Sequence, residues 1–304
     1  MENKSLTALV SAFSRAYHAE HNQFKIFDDQ LAIQLLTDEE YENIASNMSL
    51  AIAFFEPEFV GSQEQALRKI VDHQLSPTPL GRAAFAEQAL AVAATLGARQ
   101  YLIFAAGYDT FAYRQPKWAT KLQIFEIDHP ATAADKRRRV SALHYDAPSN
   151  LHCISADFGE PDWPSRVLAC PAFDPSLISF SSLLGISYYL PKDVFKHFLS
   201  AIASLLPSGS SIVFDYPDEQ TFTSQAGERA QKQVMMAAQA GEPMQASYSY
   251  SELEQMLEEA NLLIYQHLTP AEITEQLFQA YNDSQPEHKI TAFDNVNYCL
   301  AVKL

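Results

Sequence analysis

From about residue 75 onward, short apolar runs alternate with stretches of helical periodicity, the rhythm of βαβ units and a mostly parallel sheet. The runs predict strands near 101–105, 123–127, 151–155, 177–182 and 211–215, and a later pair near 262–267 and 296–303 completes the sheet. Punctuation between the runs predicts helices. Pro77 and Pro79 precede an Ala-rich stretch from Arg82 to Leu96, built of strong helix formers and closed by Gly97. Pro130 suits a first helical position, and Ala131 to Ser141 carries Lys136 to Arg139 toward its C-terminal end, where cations complement the helix dipole. Pro191 opens a helix with Val194, Phe195, Phe198, Leu199 and Ile202 at helical spacing, before Pro207-Ser-Gly209 turns the chain into the next strand. Ser251 with Glu254 three positions on predicts a capping box for a helix over Glu252–Ala260. Residues 217–250 interrupt the alternation with a polar, Gln- and Ala-rich stretch including Glu228 to Ala240, the pattern of a helical insert over a site, or lid. The first seventy-five residues read as helical.

Composition fits these elements into one core with additions. With 304 residues and 47% hydrophobic content, the chain supports a single domain, residues 76–304 forming the core and 1–75 a helical cover. A formal charge of −16 repels a phosphate backbone and argues against a nucleic-acid partner. No window reaches the length of apolar sequence that a membrane span requires, and Met1-Glu-Asn-Lys-Ser-Leu6 lacks a basic-then-apolar leader, so a soluble, cytoplasmic protein is expected. Cys153, Cys170 and Cys299 are odd in number, far apart and outside metal-ligand spacing. They read as free thiols with no metal site, Cys153 and Cys299 as core residues of strands.

In an open α/β sheet, ligands bind beyond the carboxyl ends of the strands, near the reversal of strand order. The residues after each predicted strand are Ala105, Ala106, Gly107 and Asp109; Asp128; Asp157 and Phe158; Leu184 and Gly185; and Asp215 and Tyr216. Two of them, Gly107 and Asp128, stand about twenty positions apart, the spacing by which a turn approaches a nucleotide-type cofactor and an acid grips its ribose. Three carboxylates around one glycine turn suit a cofactor with hydroxyls, an amine and a positive centre. A pyrophosphate asks for G-x-G-x-x-G, and here only Gly107 is present. Each residue also has a plainer use: Asp128 as a helix cap, Asp157 as a turn former, Phe158 as core, and Arg82 as a solvated helix residue.

The chain resembles the leucine carboxyl methyltransferase family, including its bacterial branch of O-methyltransferases linked to polyketide pathways. The resemblance rests on Arg82, Gly97-Ala-Arg-Gln100, Ala106-Gly-Tyr-Asp-Thr110, Phe125-Glu-Ile-Asp-His-Pro130, Ala156-Asp-Phe158, Gly185-Ile-Ser-Tyr-Tyr-Leu190 and Phe214-Asp-Tyr216. It implies a Rossmann-like class I methyltransferase fold with a mostly parallel seven-stranded sheet, one late strand antiparallel, and helices on both faces. It further implies S-adenosylmethionine as methyl donor, with S-adenosylhomocysteine as product. Carried over residue by residue, the family implies that Arg82 meets the carboxylate of the methionine moiety, that Ala105, Ala106 and Gly107 offer backbone amides, that Asp128 accepts from the ribose hydroxyls, and that Asp157 and Phe158 hold the adenine. The chain departs from the pattern at Ala105, where the family has glycine, and at Leu184, where many members have glutamate.

Methyl transfer from a sulfonium is an in-line displacement, so alignment supplies most of the acceleration. A carboxylate acceptor has no proton to lose; a phenol or alcohol benefits from a nearby acceptor of its proton. Tyr188, Tyr189 and Tyr216 are the candidates near the cofactor edge, followed by His18 and His21 if the N-terminal helices fold over the site; His129 and His197 read as structural. The expected activity is O-methylation of a hydroxyl or carboxylate on a small molecule. Alternatives are a protein C-terminal carboxyl methyltransferase, a non-catalytic adenosylmethionine-binding regulator, and a nicotinamide-dependent oxidoreductase, the last disfavoured by the missing glycines.

Overall fold

A computed structural model describes residues 5–304. Seven strands form one sheet: β1 (Gln100–Phe104), β2 (Gln123–Asp128), β3 (Leu151–Ser155), β4 (Ser179–Leu183), β5 (Ser211–Pro217), β6 (Leu262–Leu268) and β7 (Val296–Lys303). Their order is β3-β2-β1-β4-β5-β7-β6. β7 runs antiparallel to both β5 and β6, and all the other pairs are parallel. Every strand lies within three residues of its expected bounds; β1, buried at every position, is written as a largely apolar run. The order reverses between β1 and β4, which makes their carboxyl ends the place where a ligand crevice opens.

Two apolar layers, one on each face, hold the sheet between helices. One gathers Phe104, Phe125, Trp163, Phe195, Phe198, Leu199 and Phe214. The other gathers Phe85, Leu90, Tyr101, Phe111, Phe180 and Tyr298. A third cluster joins the N-terminal helices to the core through Phe13, Tyr17 and Leu35 on one side and Tyr108 and Val140 on the other.

Several expectations shift in ways that have local causes. The helix expected over Arg82–Leu96 starts five residues earlier, spanning Pro77–Thr95. Pro77 and Pro79 sit inside its first turn, where no backbone donor is needed. The extension matters for the site, since it puts Thr78 one turn before Arg82 on the same helix face, with Gln74 in the π-helical turn Val71–Leu75 just ahead of it. The capping box lies at Ser249 and Glu252, opening the helix Tyr250–Glu259, and not at Ser251 and Glu254. Cys299 is buried, as a core strand residue should be, whereas Cys153 is exposed because β3 is an edge strand. The insert after β5 does contain a helix, Glu228–Gln239. No helix among the described residues is long and apolar enough to cross a membrane.

Candidate active site

A cavity of about 640 Å³ opens at the carboxyl ends of β1 and β4. That is within the range of about 300–1,000 Å³ usual for small-molecule sites. Its floor is the loop after β1 (Ala105 to Asp109), Asp128 after β2, and Leu184 to Ile186 after β4. Its walls come from the helix Leu6–His21, from Gln74, Thr78 and Arg82, and from the helix and loop spanning 233–245. Residues distant in sequence thus meet at the reversal of strand order.

The loop after β1 is shaped by two residues in the left-handed region, Ala105 at φ +51° and Gly107 at φ +50°. Asp128 anchors it: the Gly107 N–H donates to Oδ2 at 2.6 Å, while Oδ1 accepts from the His129 N–H at 2.7 Å. Burial pushes the Asp128 carboxyl above the ordinary aspartate range, and the two backbone donors pull against that shift. Ala105 occupies the position where a glycine is strain-free; a left-handed alanine costs about 1–2 kcal/mol. Part of the gain from glycine is offset by the greater freedom of the unfolded chain, about 0.4–1 kcal/mol. Ala105→Gly is therefore expected to raise the melting temperature slightly and leave methyl-donor affinity within about threefold; a clear fall in stability on thermal unfolding would contradict this reading of the turn.

A second assembly centres on Asp215 at the end of β5, fully buried. Its Oδ1 accepts from the Gly185 N–H at 2.6 Å, and its Oδ2 from the Tyr188 hydroxyl at 2.7 Å and from Arg82 Nη1 at 3.3 Å. Burial works against the Arg82 charge, but Asp215, helped by Tyr188 and Tyr298, more than compensates and raises its pKa. Arg82 Nη2 reaches Ser11 Oγ at 3.4 Å, so the guanidinium lies in the cavity lining between Asp215 and Ser11. Gly185, at φ +73°, makes room for it: a Cβ there would stand 2.2 Å from Arg82 Nη1.

The two remaining cations of the lining are committed elsewhere. Arg15 is bound to Asp29 at 2.9 Å and to the Tyr108 carbonyl at 2.8 Å; Arg114 is paired with Glu87. Asp29 also accepts from Thr110 Oγ1 at 2.7 Å, so the N-terminal segment is tied to the loop after β1. Burial opposes ionisation of Asp29, yet Arg15 and Arg114 hold its carboxyl below the usual range.

The structure gathers Arg82, Ala105, Ala106, Gly107, Asp128, Tyr188 and Tyr189 around the cavity. Asp157 and Phe158 are not in its lining. Asp157 is exposed, accepts from the Gly159 N–H at 2.9 Å, and lies 4.0 Å from His129 Nε2, on the rim beside Asp128. Phe158 packs into the core against Trp163 and Phe198. The loops after β1, β2 and β3 nonetheless converge, since the Ala156 N–H donates to the Asp128 carbonyl at 2.9 Å.

Three catalytic candidates fall away on geometry. Tyr216 is buried in the core away from the cavity, its hydroxyl 2.7 Å from His267 Nε2. His18 accepts from the Ile26 N–H at 2.9 Å and is pushed by burial down to about 3, so it stays neutral and structural. His21 stacks on Tyr17 with ring centres 4.0 Å apart. Tyr188 lines the cavity, but burial and then Asp215 raise its pKa well, and its proton is already donated to Asp215. Sequence reasoning missed Asp215 as the partner of Arg82; its place after β5, level with the other strand-end acids, was the available signal.

The comparisons with known proteins agree with this geometry. The family model for leucine carboxyl methyltransferase matches residues 8–203. YktD of Bacillus subtilis (strain 168), assigned to the S-adenosylmethionine-dependent methyltransferases, is 39% identical over 311 residues, covering 98% of each chain. Franean1_4929 of Parafrankia sp. (strain EAN1pec), with the same assignment, is 29% identical over 69% of this chain and 62% of its own. Among solved structures, a DUF574 family protein of Streptomyces avermitilis MA-4680 superposes with a TM-score of 0.61 at 14% identity, covering 97% of both chains. A Thermobifida fusca YX protein described as a methyltransferase superposes at 0.55 with 15% identity, covering 99% of this chain and 95% of its own. The chain belongs to the leucine carboxyl methyltransferase family and, with it, to the S-adenosylmethionine-dependent methyltransferases. That membership sets aside the oxidoreductase alternative.

Proposed function

We propose that this enzyme transfers the methyl group of S-adenosylmethionine to an oxygen, hydroxyl or carboxylate, of a small-molecule acceptor. The observation that carries the reading is that one cavity holds both a half-buried acid at the end of β2, Asp128, and a guanidinium, Arg82, at the edge of the strand-order reversal. The bound donor supplies a sulfonium-activated methyl group; the chain's own residues bind, orient and exclude water.

The lone pairs that Asp128 has left after its two backbone bonds accept from the ribose hydroxyls, and Arg82 meets the amino-acid carboxylate as a charge-assisted pair. The adenine lies toward the rim where Asp157 stands beside His129. The helix Glu228–Gln239 and the loop after it act as the lid over the acceptor. No proton has to leave a carboxylate acceptor, whereas a hydroxyl acceptor gives one up to solvent as its oxygen–carbon bond forms and the donor's sulfur–carbon bond breaks to leave neutral S-adenosylhomocysteine. Alignment inside the closed cavity supplies the acceleration.

Two measurements test this. Incubating the protein with S-adenosylmethionine and panels of small alcohols, phenols and carboxylic acids should release S-adenosylhomocysteine only when an acceptor is present; methylation confined to nitrogen or carbon acceptors would overturn the oxygen assignment. Donor affinity should also depend on pH. The ribose hydroxyls donate to the charged form of Asp128, whose carboxyl is raised by burial. Binding should therefore weaken as pH falls, beginning above the range of an ordinary aspartate near 3.9. Affinity that stays flat down to the onset of unfolding would remove Asp128 from the donor contact.

A further inference from the structure

The acceptor end of the cavity carries its own chemical signature. Among the described residues, Gln74 Oε1, Thr78 Oγ1 and Glu242 Oε2 are buried without a hydrogen-bond partner, and all three residues line the cavity. Thr78 is 8% exposed, so its hydroxyl has no ready access to bulk water. Buried polar atoms of native proteins are nearly always paired, and an orphan asks for an explanation. Gln74 and Thr78 share the cavity-facing side of one helical run. Glu242 faces the same space from the loop after the lid helix. That loop is fixed in place: the Gln245 N–H donates to the Tyr188 carbonyl at 2.7 Å, and Gln245 Nε2 to the Tyr189 carbonyl at 2.9 Å.

Charge decides what this end can receive. Arg15, Arg82 and Arg114 are the lining cations among the described residues, and each already faces a carboxylate, Asp29, Asp215 and Glu87 respectively. Arg82, the one of the three that the donor's own carboxylate takes in the reading above, leaves no cation for a second anion. A carboxylate acceptor would lie against Glu242 uncompensated. The rest of the lining at this end is apolar and adaptable, with Met48, Met236 and Met244 beside Phe55 and Leu75.

We propose that Glu242, with Gln74 and Thr78, is the specificity-determining set for the methyl acceptor, and that it admits a hydroxyl-bearing apolar molecule and excludes a carboxylate one. The inference rests on the methyltransferase reading of the same cavity and narrows it. Glu242 and the Gln74 carbonyl accept hydrogen bonds from the acceptor, the methionines and Phe55 cover its body, and the Glu242 charge repels an anion of the same shape.

Two probes with one apolar body separate the cases: 2-naphthol and 2-naphthoate, titrated by calorimetry into the protein saturated with S-adenosylhomocysteine. The naphthol should bind about tenfold or more tightly than the naphthoate, and Glu242→Gln should shrink that ratio at least severalfold by admitting the naphthoate. Equal or reversed affinities, no naphthol binding at millimolar concentration, or a ratio unchanged in Glu242→Gln would each overturn the proposal. S-Adenosylhomocysteine binding is measured in the same experiment. If it persists while the naphthol preference is absent, the acceptor assignment alone fails; if it is absent, the donor reading fails. Glu242 lies on a loop, and an unchanged melting temperature for Glu242→Gln keeps the comparison free of folding effects.

Discussion

Gly185→Ala will leave the protein folded but bind S-adenosylmethionine about 10- to 100-fold more weakly, an effect of one methyl group acting through Arg82. Two costs arise at once. At φ +73° an alanine is strained by about 1–2 kcal/mol. The new Cβ would also stand 2.2 Å from Arg82 Nη1, a contact relieved only by moving the guanidinium. The end of an arginine moves readily, so the fold survives with a melting temperature lowered by a few degrees. The displaced guanidinium no longer faces the donor carboxylate, and a hydrogen bond to a charged group is worth about 1.5–3 kcal/mol. Asp215 keeps the Gly185 N–H and the Tyr188 hydroxyl, which limits the damage to the core. Calorimetric titration of the donor with parallel thermal unfolding reads both effects. Unchanged affinity would mean that Arg82 does not touch the donor.

Asp128→Ala carries the largest effect on donor binding. Two ribose hydroxyls donating to this half-buried carboxylate contribute about 1.5–3 kcal/mol each, so affinity should fall by about 100-fold or more. Stability should change little in comparison. The Gly107 and His129 N–H groups lose their acceptor, but a half-buried carboxylate whose ionisation is disfavoured by desolvation is removed with it. Asp157→Ala is the matched control. Its carboxylate is about half exposed on the rim, so its loss should weaken donor binding by no more than about tenfold. Equal effects at the two positions would place the ribose elsewhere.

The parts of this protein that were legible in the sequence are those written by local rules. Strands buried on both faces appear as apolar runs, and the strand-end residues that line the site follow from them. Gly107 and Asp128 could be singled out because a turn after one strand and an acid after the next have a common use, while Arg82 stood out through the family resemblance. What stayed hidden depends on packing between distant segments. Asp215 and Tyr216 are neighbours near the end of β5, yet alternation sends Asp215 toward Arg82 and Tyr216 into the core beside Phe214 and Tyr248. Sequence position could not say which of the two faces the cavity. The earlier start of the helix Pro77–Thr95 was masked by two prolines that read as a boundary and serve as its first turn. Without that turn, Thr78 would not share a face with Arg82. Cys153 looked like a core residue because nothing in a short apolar run reveals that its strand is an edge. The orphaned atoms of Gln74, Thr78 and Glu242 come from two distant places in the chain and have no motif at all.

The most direct test of the central claim is a crystal structure of the protein with S-adenosylhomocysteine. It should show both ribose hydroxyls within hydrogen-bonding distance of the Asp128 carboxylate, the amino-acid carboxylate on Arg82, and the sulfur facing the space enclosed by Gln74, Thr78 and Glu242. A ligand held anywhere other than the cavity at the ends of β1 and β4, or bound there with its ribose away from Asp128, would contradict the account.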